Sequence, residues 1–313
     1  MNQAYKNVAL ENSYCLFLDL LGFSQEIIDN SNNATSQNHL IRLIQAIEKG
    51  MSRFSETDDY SLKLFTDNIV IGIPFKKLTE IAAWCPEDEV NSYSGYASGD
   101  VLSEIYEDYF NKIVEQVIYY QLTMILEGFF VRGGWDYGKL YMDSKIVYGK
   151  PLISAYKLES DYAKYPRIVL GERIIEMIDR MIYNKEVLAP FPYNREFDIC
   201  GNSTIPYVLK GEEGIYFVNY LFSVINLADN TYDIDKLLQH KEIIQNKITL
   251  FKSNERILSK YCWSAFYHNR FCELFIQTKM GIKDIEHLII KEIPYVSSDW
   301  DIGWVILEHS GFQ

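Results

Sequence analysis

Two aspartates, each at the end of a short apolar run, are the residues of this sequence best placed to do chemistry. Asp19 closes the run Cys15-Leu16-Phe17-Leu18, and Asp67 follows Leu62-Lys63-Leu64-Phe65-Thr66. An ionised carboxylate inside such a run is costly to bury unless a partner neutralises it. Two of them at the ends of neighbouring strands could share a divalent cation. The sequence therefore raises the hypothesis of a metal-dependent phosphate site.

The composition limits the partners that such a site could serve. The chain has 313 residues, 48% of them hydrophobic, and a formal net charge of −13. This is enough apolar material for one large domain, or for one domain plus an extension. Nucleic acids and anionic membranes bind proteins through Lys and Arg, so we expect neither as a partner. A nucleotide held through metal ions is compatible with an acidic chain, because the metals carry the positive charge.

The cysteines and histidines point to a reduced protein without zinc. Five cysteines form no CxxC pair, and we expect them to be buried free thiols. The five histidines have no metal-ligand spacing. The chain lacks both a signal-peptide pattern and a run of ~18–20 apolar residues, so we expect a cytoplasmic protein.

The elements that must position the aspartates are visible as alternating periodic patterns. Strand patterns cover about 14–20, 61–66, 68–74, 127–136, 138–148 and 167–170, and helical patterns cover 35–55, 102–126 and 149–164. Long helices alternating with antiparallel pairs predict an α+β fold with helices packed on one face of a sheet. Beyond residue 171 the chain is helix-rich, and a helix is expected over about 238–277. Its aromatic cluster is interpreted as packing or subunit contact.

The segment Val131-Arg132-Gly133-Gly134 interrupts a strand pattern and predicts a bulge or a close backbone approach. Arg132 within it has two open interpretations, since it could pair with phosphate or with an acidic neighbour on the next strand. Arg167 is a further candidate for phosphate.

Four segments, taken in order, resemble those of class III nucleotidyl cyclases of the adenylate and guanylate type. They are Phe17-Leu18-Asp19-Leu20-Leu21-Gly22-Phe23, Leu62-Lys63-Leu64-Phe65-Thr66-Asp67, Arg132-Gly133-Gly134-Trp135-Asp136-Tyr137-Gly138, and Tyr148-Gly149 through Ser160. Together they cover roughly the first half of the chain. The motifs Phe65-Thr66-Asp67-Asn68 and Arg132-Gly133-Gly134 are most similar to those of the bacterial pyrimidine (cytidylate and uridylate) cyclases of the Pycsar antiphage system.

The resemblance implies a ferredoxin-like, palm-type cyclase fold in residues 1–175, with a helix-rich extension, residues 176–313, packed on it. It implies a homodimer with shared active sites that converts a nucleoside triphosphate substrate to a 3′,5′-cyclic monophosphate and pyrophosphate. CTP or UTP is the expected substrate. The product would act on a separate cyclic-nucleotide-responsive effector protein in antiphage defence.

The resemblance also assigns roles to residues, and the chemistry agrees with it. Asp19, Asp67 and the backbone carbonyl of Leu20 form a suitable oxygen ligand set for two Mg²⁺ or Mn²⁺ ions. Such a pair lowers the pKa of the ribose 3′-hydroxyl and neutralises the leaving charge. The backbone amides of Gly22, Phe23 and Ser24, at a helix start, can cradle the triphosphate.

The base-reading and transition-state positions depart from the purine cyclases. Lys63 stands where purine cyclases read the base, although a solvent-facing strand lysine explains it equally well. Ile146 replaces the adenine-reading Asp. Ile153 and Lys157 replace the Asn and the Arg that stabilises the pentavalent phosphate, and a lysine cannot supply the bidentate fork.

Tyr137, Tyr148 and Tyr156 could line a different base pocket. These departures favour a pyrimidine nucleotide. The alternatives are a purine cyclase acting on ATP or GTP, a related palm-type nucleotidyltransferase, or a nucleotide-binding protein of the same fold whose catalysis has decayed.

Overall fold

The structure is a computed structural model that describes residues 8–23, 33–54, 60–75, 99–183, 207–211, 214–226, 229 and 231–294. Ser24, from the predicted phosphate cradle, lies outside these residues. Across the described ranges, no helix has the length and apolarity that crossing a bilayer requires.

The first half of the chain forms a βαββαβ unit. Its elements are β1 (Glu11–Leu20), α1 (Asn33–Met51), β2 (Ser61–Phe65), β3 (Asn68–Pro74), α2 (Gly99–Leu126) and β4 (Val131–Met142). The strands lie in the order β2-β3-β1-β4, and each neighbouring pair is antiparallel. This order is that of the ferredoxin-like fold, which confirms the α+β prediction.

Helices α1 and α2 bury one face of this sheet. Successive residues of a strand point to opposite faces, and Leu16, Leu18 and Ile71 contribute to a core cluster with Leu43 of α1 and Val117 of α2. All five side chains are almost fully buried. This layer holds β1 and β3, and hence the ends that carry the aspartates, in place.

The opposite face of the sheet is also covered in part, which differs from the prediction of helices on one face only. Helix α3 (Lys150–Lys157) places Ala155 over Cys15, Phe17 and Val70 in a second, smaller cluster. The physical reason is visible in β1, where Ser13–Leu18 are all buried. A strand that is apolar on both faces needs cover on both.

Strand β4 is longer than predicted, because the expected break near residue 137 is wrong. Tyr137 and Gly138 stay in the ladder opposite Tyr14 and Ser13 of β1. The turn comes later, and it joins β4 to β5 (Val147–Gly149). There the Oδ1 of Asp143 accepts hydrogen bonds from the backbone amides of residues 145 and 146, each at 2.7 Å.

Helix α3 is shorter than predicted and ends in a π-helical turn, Leu158–Tyr162. The chain then forms β6 (Ile168–Leu170), which is parallel to β4, and α4 (Glu172–Tyr183). Strands β7 (Val208–Lys210) and β8 (Tyr216–Val218) extend the same sheet through β6. The second half therefore contributes strands as well as helices, and the boundary at residue 175 stays a prediction.

The single helix expected over 238–277 is wrong. A short separate ribbon, β9 (Ile225–Asn226) and β10 (Thr231–Tyr232), precedes α5 (Ile234–Leu250) and α6 (Glu255–Phe271). Asn254 caps α6, and its Oδ1 accepts from the amide of Ile257 at 3.3 Å. Tyr261, Trp263 and Tyr267 of α6 are buried, so packing accounts for them.

Candidate active site

Asp19 lies in the centre of one rung across the sheet. It pairs with Asn68 of β3 on one side and with Arg132 of β4 on the other. Residues directly opposite each other in antiparallel strands project to the same face. The rung therefore presents a carboxylate between an amide and a guanidinium, on the face that α3 covers only in part.

Asp67 is held beside this rung by the turn between β2 and β3. Thr66 has a φ of 56°, in the left-handed region that few residues with a branched side chain adopt. The Oδ1 of Asp67 accepts hydrogen bonds from Thr66 Oγ1 at 2.9 Å and Asn68 Nδ2 at 3.0 Å. Its backbone carbonyl accepts from the amide of Leu20 at 2.9 Å. The two aspartates thus lie at the same end of the β1–β3 pair.

Arg132 bridges two carboxylates. Its Nε donates to Asp19 Oδ2 at 2.7 Å, and its NH2 group lies 2.6 Å from Glu159 Oε1. A third donor, NH1, reaches the carbonyl of Ala163 at 3.3 Å. Of the two interpretations open for Arg132, the structure shows pairing with acidic neighbours.

Glu159 is a member of this site that the sequence did not reveal. It lies in the π-helical turn after α3, and its side chain is only 5% exposed. Burial raises the pKa of its carboxyl group, and the Arg132 guanidinium opposes that rise. The sequence hints at this role only through position, because Glu159 lies two residues after the predicted catalytic residue Lys157.

Lys260 of α6 is a second unforeseen neighbour. Burial and the Arg132 charge lower the pKa of its amino group to about 8, while Asp19 and Glu159 act in the opposite direction. Nothing in the sequence links residue 260 to residue 19, because the second half of the chain must fold against the first for them to meet.

The turn after β1 carries the predicted phosphate-binding amides. Gly22 has a φ of 78°, a backbone conformation that favours glycine. The amide of Leu21 donates to the carbonyl of Phe130 at 2.9 Å, which fixes the turn against the start of β4. The ring of Phe23 packs 5.6 Å from that of His39. The role of the Gly22 and Phe23 amides stays a prediction.

The roles predicted for Lys63 and Lys157 stay predictions. The side-chain contacts described above for Asp19 and Asp67 come from Arg132, Thr66 and Asn68. Lys63 instead acts on Asp143, whose pKa is lowered to about 2 chiefly by its two backbone hydrogen bonds. Lys157 is exposed at the end of α3.

The aromatic and apolar candidates divide into core and surface. Tyr137 packs in the core, with its ring 5.6 Å from that of Tyr14. Tyr148 and Tyr156 are 67% and 52% exposed, and Ile146 and Ile153 are 54% and 59% exposed. These four exposed side chains lie on β5, on the turn before it and on α3.

Arg167 is buried rather than open to a ligand. Its guanidinium carbon lies 5.4 Å from the ring centroid of Phe217, 5.5 Å from that of Tyr165 and 5.9 Å from that of Trp263. These contacts join β6, β8 and α6, so Arg167 stabilises the packing of the second half on the sheet.

The donor set fits a hard divalent cation that also binds substrate. Within the described ranges, no group of three or more His, Cys, Asp or Glu side chains is placed to hold a metal. The predicted set has only two such side chains, Asp19 and Asp67, together with one backbone carbonyl. Mg²⁺ can still bind such a set, because it typically keeps several waters and takes further oxygens from substrate phosphates. Because Asp19 already pairs with Arg132, a cation there would have to compete with the guanidinium.

Comparison with known proteins finds similarity among solved structures only. No family model and no curated protein matches the chain. Among solved structures, the chain is similar to the monomeric guanylyl cyclase domain of the RhoGC fusion protein of the aquatic fungus Blastocladiella emersonii. The two share 12% sequence identity with a TM-score of 0.38, and the match covers 68% of this chain and 98% of that one. It is similar to the adenylyl cyclase CyaB of P. aeruginosa at 12% identity and a TM-score of 0.38, over 68% and 95% of the two chains.

A class III adenylyl cyclase-like ATP-binding protein of Pseudomonas aeruginosa matches at 13% identity and a TM-score of 0.38, over 54% of this chain and 35% of that one. At these identities and TM-scores the likeness carries no argument about activity. The case for a function rests on the residues of the site.

Proposed function

We propose that this protein is a nucleotidyl cyclase that converts a nucleoside triphosphate to its 3′,5′-cyclic monophosphate and pyrophosphate. The observation that carries the proposal is the convergence of Asp19 and Asp67, joined by the 2.9 Å hydrogen bond from the Leu20 amide to the Asp67 carbonyl. Two carboxylates at the ends of the central strands of a ferredoxin-like sheet form a site for metal-bound phosphates.

Each residue then has a part in the reaction. Asp19, Asp67 and the Leu20 carbonyl would hold two Mg²⁺ or Mn²⁺ ions, which when bound lower the pKa of the 3′-hydroxyl and neutralise the leaving pyrophosphate. The Gly22 and Phe23 amides orient the triphosphate. Arg132 releases Asp19 and donates to a phosphate oxygen instead, and it keeps its ion pair with the buried Glu159.

A pyrimidine nucleotide, CTP or UTP, is the proposed substrate. Ile146 and Ile153 are exposed and offer no hydrogen-bonding group to a purine edge. The exposed rings of Tyr148 and Tyr156 could stack on a base instead. The second candidate is a purine cyclase with the same two aspartates, and the third is a nucleotide-binding protein whose catalysis has decayed.

A homodimer with shared sites belongs to the same proposal. The apolar surface of Ile146, Tyr148, Ile153 and Tyr156 lies next to the exposed Lys157. A second copy packed on this surface would bring Lys157 towards the phosphates bound by the first. The product would act in the cytoplasm on a separate effector protein in antiphage defence.

The test is to incubate the full chain with each of the four nucleoside triphosphates and Mn²⁺, and to identify products by mass spectrometry. A cyclic pyrimidine monophosphate that disappears in Asp67→Asn supports the proposal. Asp161→Asn is the matched control, because Asp161 is exposed and lies outside the site. A cyclic purine product favours the second candidate, and nucleotide binding without turnover favours the third.

A further inference from the structure

Helix α6, from the second half of the chain, packs against the end of β1 that carries Asp19. The ring of Tyr261 lies 4.9 Å from that of Phe130, whose carbonyl accepts from Leu21. A Cβ added to Gly22 would be 3.6 Å from the Tyr261 hydroxyl. Two residues further along, the ring of Trp263 stacks on that of Tyr165 at 5.5 Å. These contacts fix the start of α6 beside the candidate active site.

Lys260 directly precedes Tyr261 on this helix, so its backbone lies beside the turn that follows Asp19. Its side chain is half-buried, and its charge interacts with Arg132, Asp19 and Glu159. Within the part of the chain that the structure describes, its amino group hydrogen-bonds to no protein acceptor. A half-buried ammonium group has lost part of its hydration, and that loss destabilises the protein unless an acceptor replaces the water.

Arg256 adds a second positive charge on the same side of the helix. It precedes Lys260 by four residues, the spacing that places two side chains on one helical face. Arg256 is exposed, and its charge is felt at Lys260. Two like charges on one face repel each other, and an anion bound between them relieves the repulsion.

We propose that Lys260 is a phosphate-binding residue of the candidate active site and contacts the polyphosphate tail of the nucleotide. The inference rests on the proposed function, because it takes the metal-bound triphosphate to lie at Asp19 and Asp67. It gives the second half of the chain a direct part in substrate binding. The competing explanation is that Lys260 only balances the charge of Asp19 and Glu159.

The experiment measures binding of inorganic tripolyphosphate, in the presence of Mg²⁺, to the full chain by calorimetry. We expect Lys260→Met to weaken binding about tenfold, the effect of losing one charge-assisted hydrogen bond. Lys260→Arg should keep most of the affinity, because the positive charge remains. Lys252→Met is the matched control, since Lys252 is exposed near the start of the same helix, and it should bind as the wild type does.

A second measurement does not depend on a substitution. Amine acylation of the wild-type chain, mapped by peptide mass spectrometry, should show Lys260 protected by tripolyphosphate and Lys252 unchanged. If wild-type protein binds no tripolyphosphate, or if folded Lys260→Met binds it as tightly as wild type, the inference is wrong.

The two proposals fail in different ways. Binding of tripolyphosphate needs no turnover, so Lys260-dependent binding without any cyclic product would overturn the proposed function and keep the inference. A cyclic product formed by Lys260→Met with an unchanged KM would keep the function and overturn the inference.

Discussion

The Nε of Arg132 lies 2.7 Å from Oδ2 of Asp19, and the same guanidinium reaches Glu159. Glu159 is 5% exposed and Arg132 is 22% exposed, so this bridge is largely shielded from water. The carboxylate of Asp19 is therefore already paired with the guanidinium group of Arg132. Any metal ion that binds there must exchange with Arg132, and the released guanidinium is then available to a phosphate.

Removal of Arg132 should destabilise the protein, because Glu159 would remain buried without its counter-charge. We expect Arg132→Met to lower the free energy of unfolding by about 3 kcal/mol. The measurement is chemical denaturation followed by circular dichroism. The control is Lys49→Met, which breaks the exposed pair between Lys49 and Glu127 and should cost about 1 kcal/mol or less. If both variants lose the same free energy of unfolding, the buried bridge stabilises the protein no more than an exposed ion pair does.

Two buried histidines make the protein sensitive to acid. The ring of His240 lies 2.9 Å from that of His268 between their Nδ1 atoms, and Tyr220 and the carbonyl of Leu288 bind the outer nitrogens. One arrangement satisfies every group: Tyr220 donates to His240, which donates to His268, which donates to the carbonyl. Both rings are neutral in it, and protonation of both would place two N–H groups opposite each other between the Nδ1 atoms.

Burial lowers the pKa of His268 to about 4 and that of His240 well below its usual value. The unfolded state therefore binds more protons between pH 6.5 and 4, so the free energy of unfolding falls as the pH falls through this window. His268 alone accounts for roughly 3 kcal/mol. His268→Gln should flatten the pH dependence of the unfolding free energy, and the exposed control His287→Gln should leave it unchanged. An unaltered slope in His268→Gln would contradict this explanation.

Gly134 allows α3 to approach β4. A Cβ at this position would clash with the backbone carbonyl oxygen of Ala155, which cannot move without the helix. Gly134→Ala should cost about 1–3 kcal/mol and lift α3 from Cys15, which is fully buried and whose pKa is raised to about 12. The direct readout is labelling of Cys15 by a thiol reagent, mapped by mass spectrometry, and labelling should increase.

Gly281→Ala provides the control for Gly134→Ala. Its φ of 72° strains an alanine, but a Cβ there meets nothing within 4 Å. This variant should lose some stability without exposing Cys15. If Cys15 stays protected in Gly134→Ala, the close approach does not hold α3 on the sheet.

The apolar surface on α3 and β5 should mediate dimer formation. We expect Ile153→Asp to turn a dimer into a monomer in light scattering and to abolish cyclase activity, because the proposed active site needs Lys157 from a second copy. Leu250→Asp is the matched control, since Leu250 is 68% exposed on α5. A wild-type chain that is a fully active monomer would rule out shared sites.

The local patterns of the sequence were sufficient for strands β1 to β3 and for helices α1 and α2. Strands β1 and β3 follow from uninterrupted apolar runs, and the hairpin between β2 and β3 fixes Asp67 near the end of β1 once the two strands pair. The same runs explain the error about α3. A run such as Ser13–Leu18, buried on both faces, requires a second layer of cover, and the prediction supplied only one.

The rest of the site depends on contacts between distant parts of the chain. Glu159 is linked to Asp19 through Arg132, and the helix that carries Lys260 reaches this region where Tyr261 packs against Phe130. Neither contact leaves a periodic pattern. The break between α5 and α6 did leave a local signal, since Asn254 is a favourable helix cap, and the prediction of one helix over 238–277 overlooked it.

The central claim is that Asp19 and Asp67 hold a divalent cation together with a nucleotide. It is tested most directly by titrating the full chain with Mn²⁺ in the presence of CTP or UTP and measuring free Mn²⁺ by electron paramagnetic resonance. We expect tight, nucleotide-dependent Mn²⁺ binding in the wild type and in Asp161→Asn, weakened at least about tenfold in both Asp19→Asn and Asp67→Asn. Mn²⁺ affinity that is the same in all four proteins would contradict it.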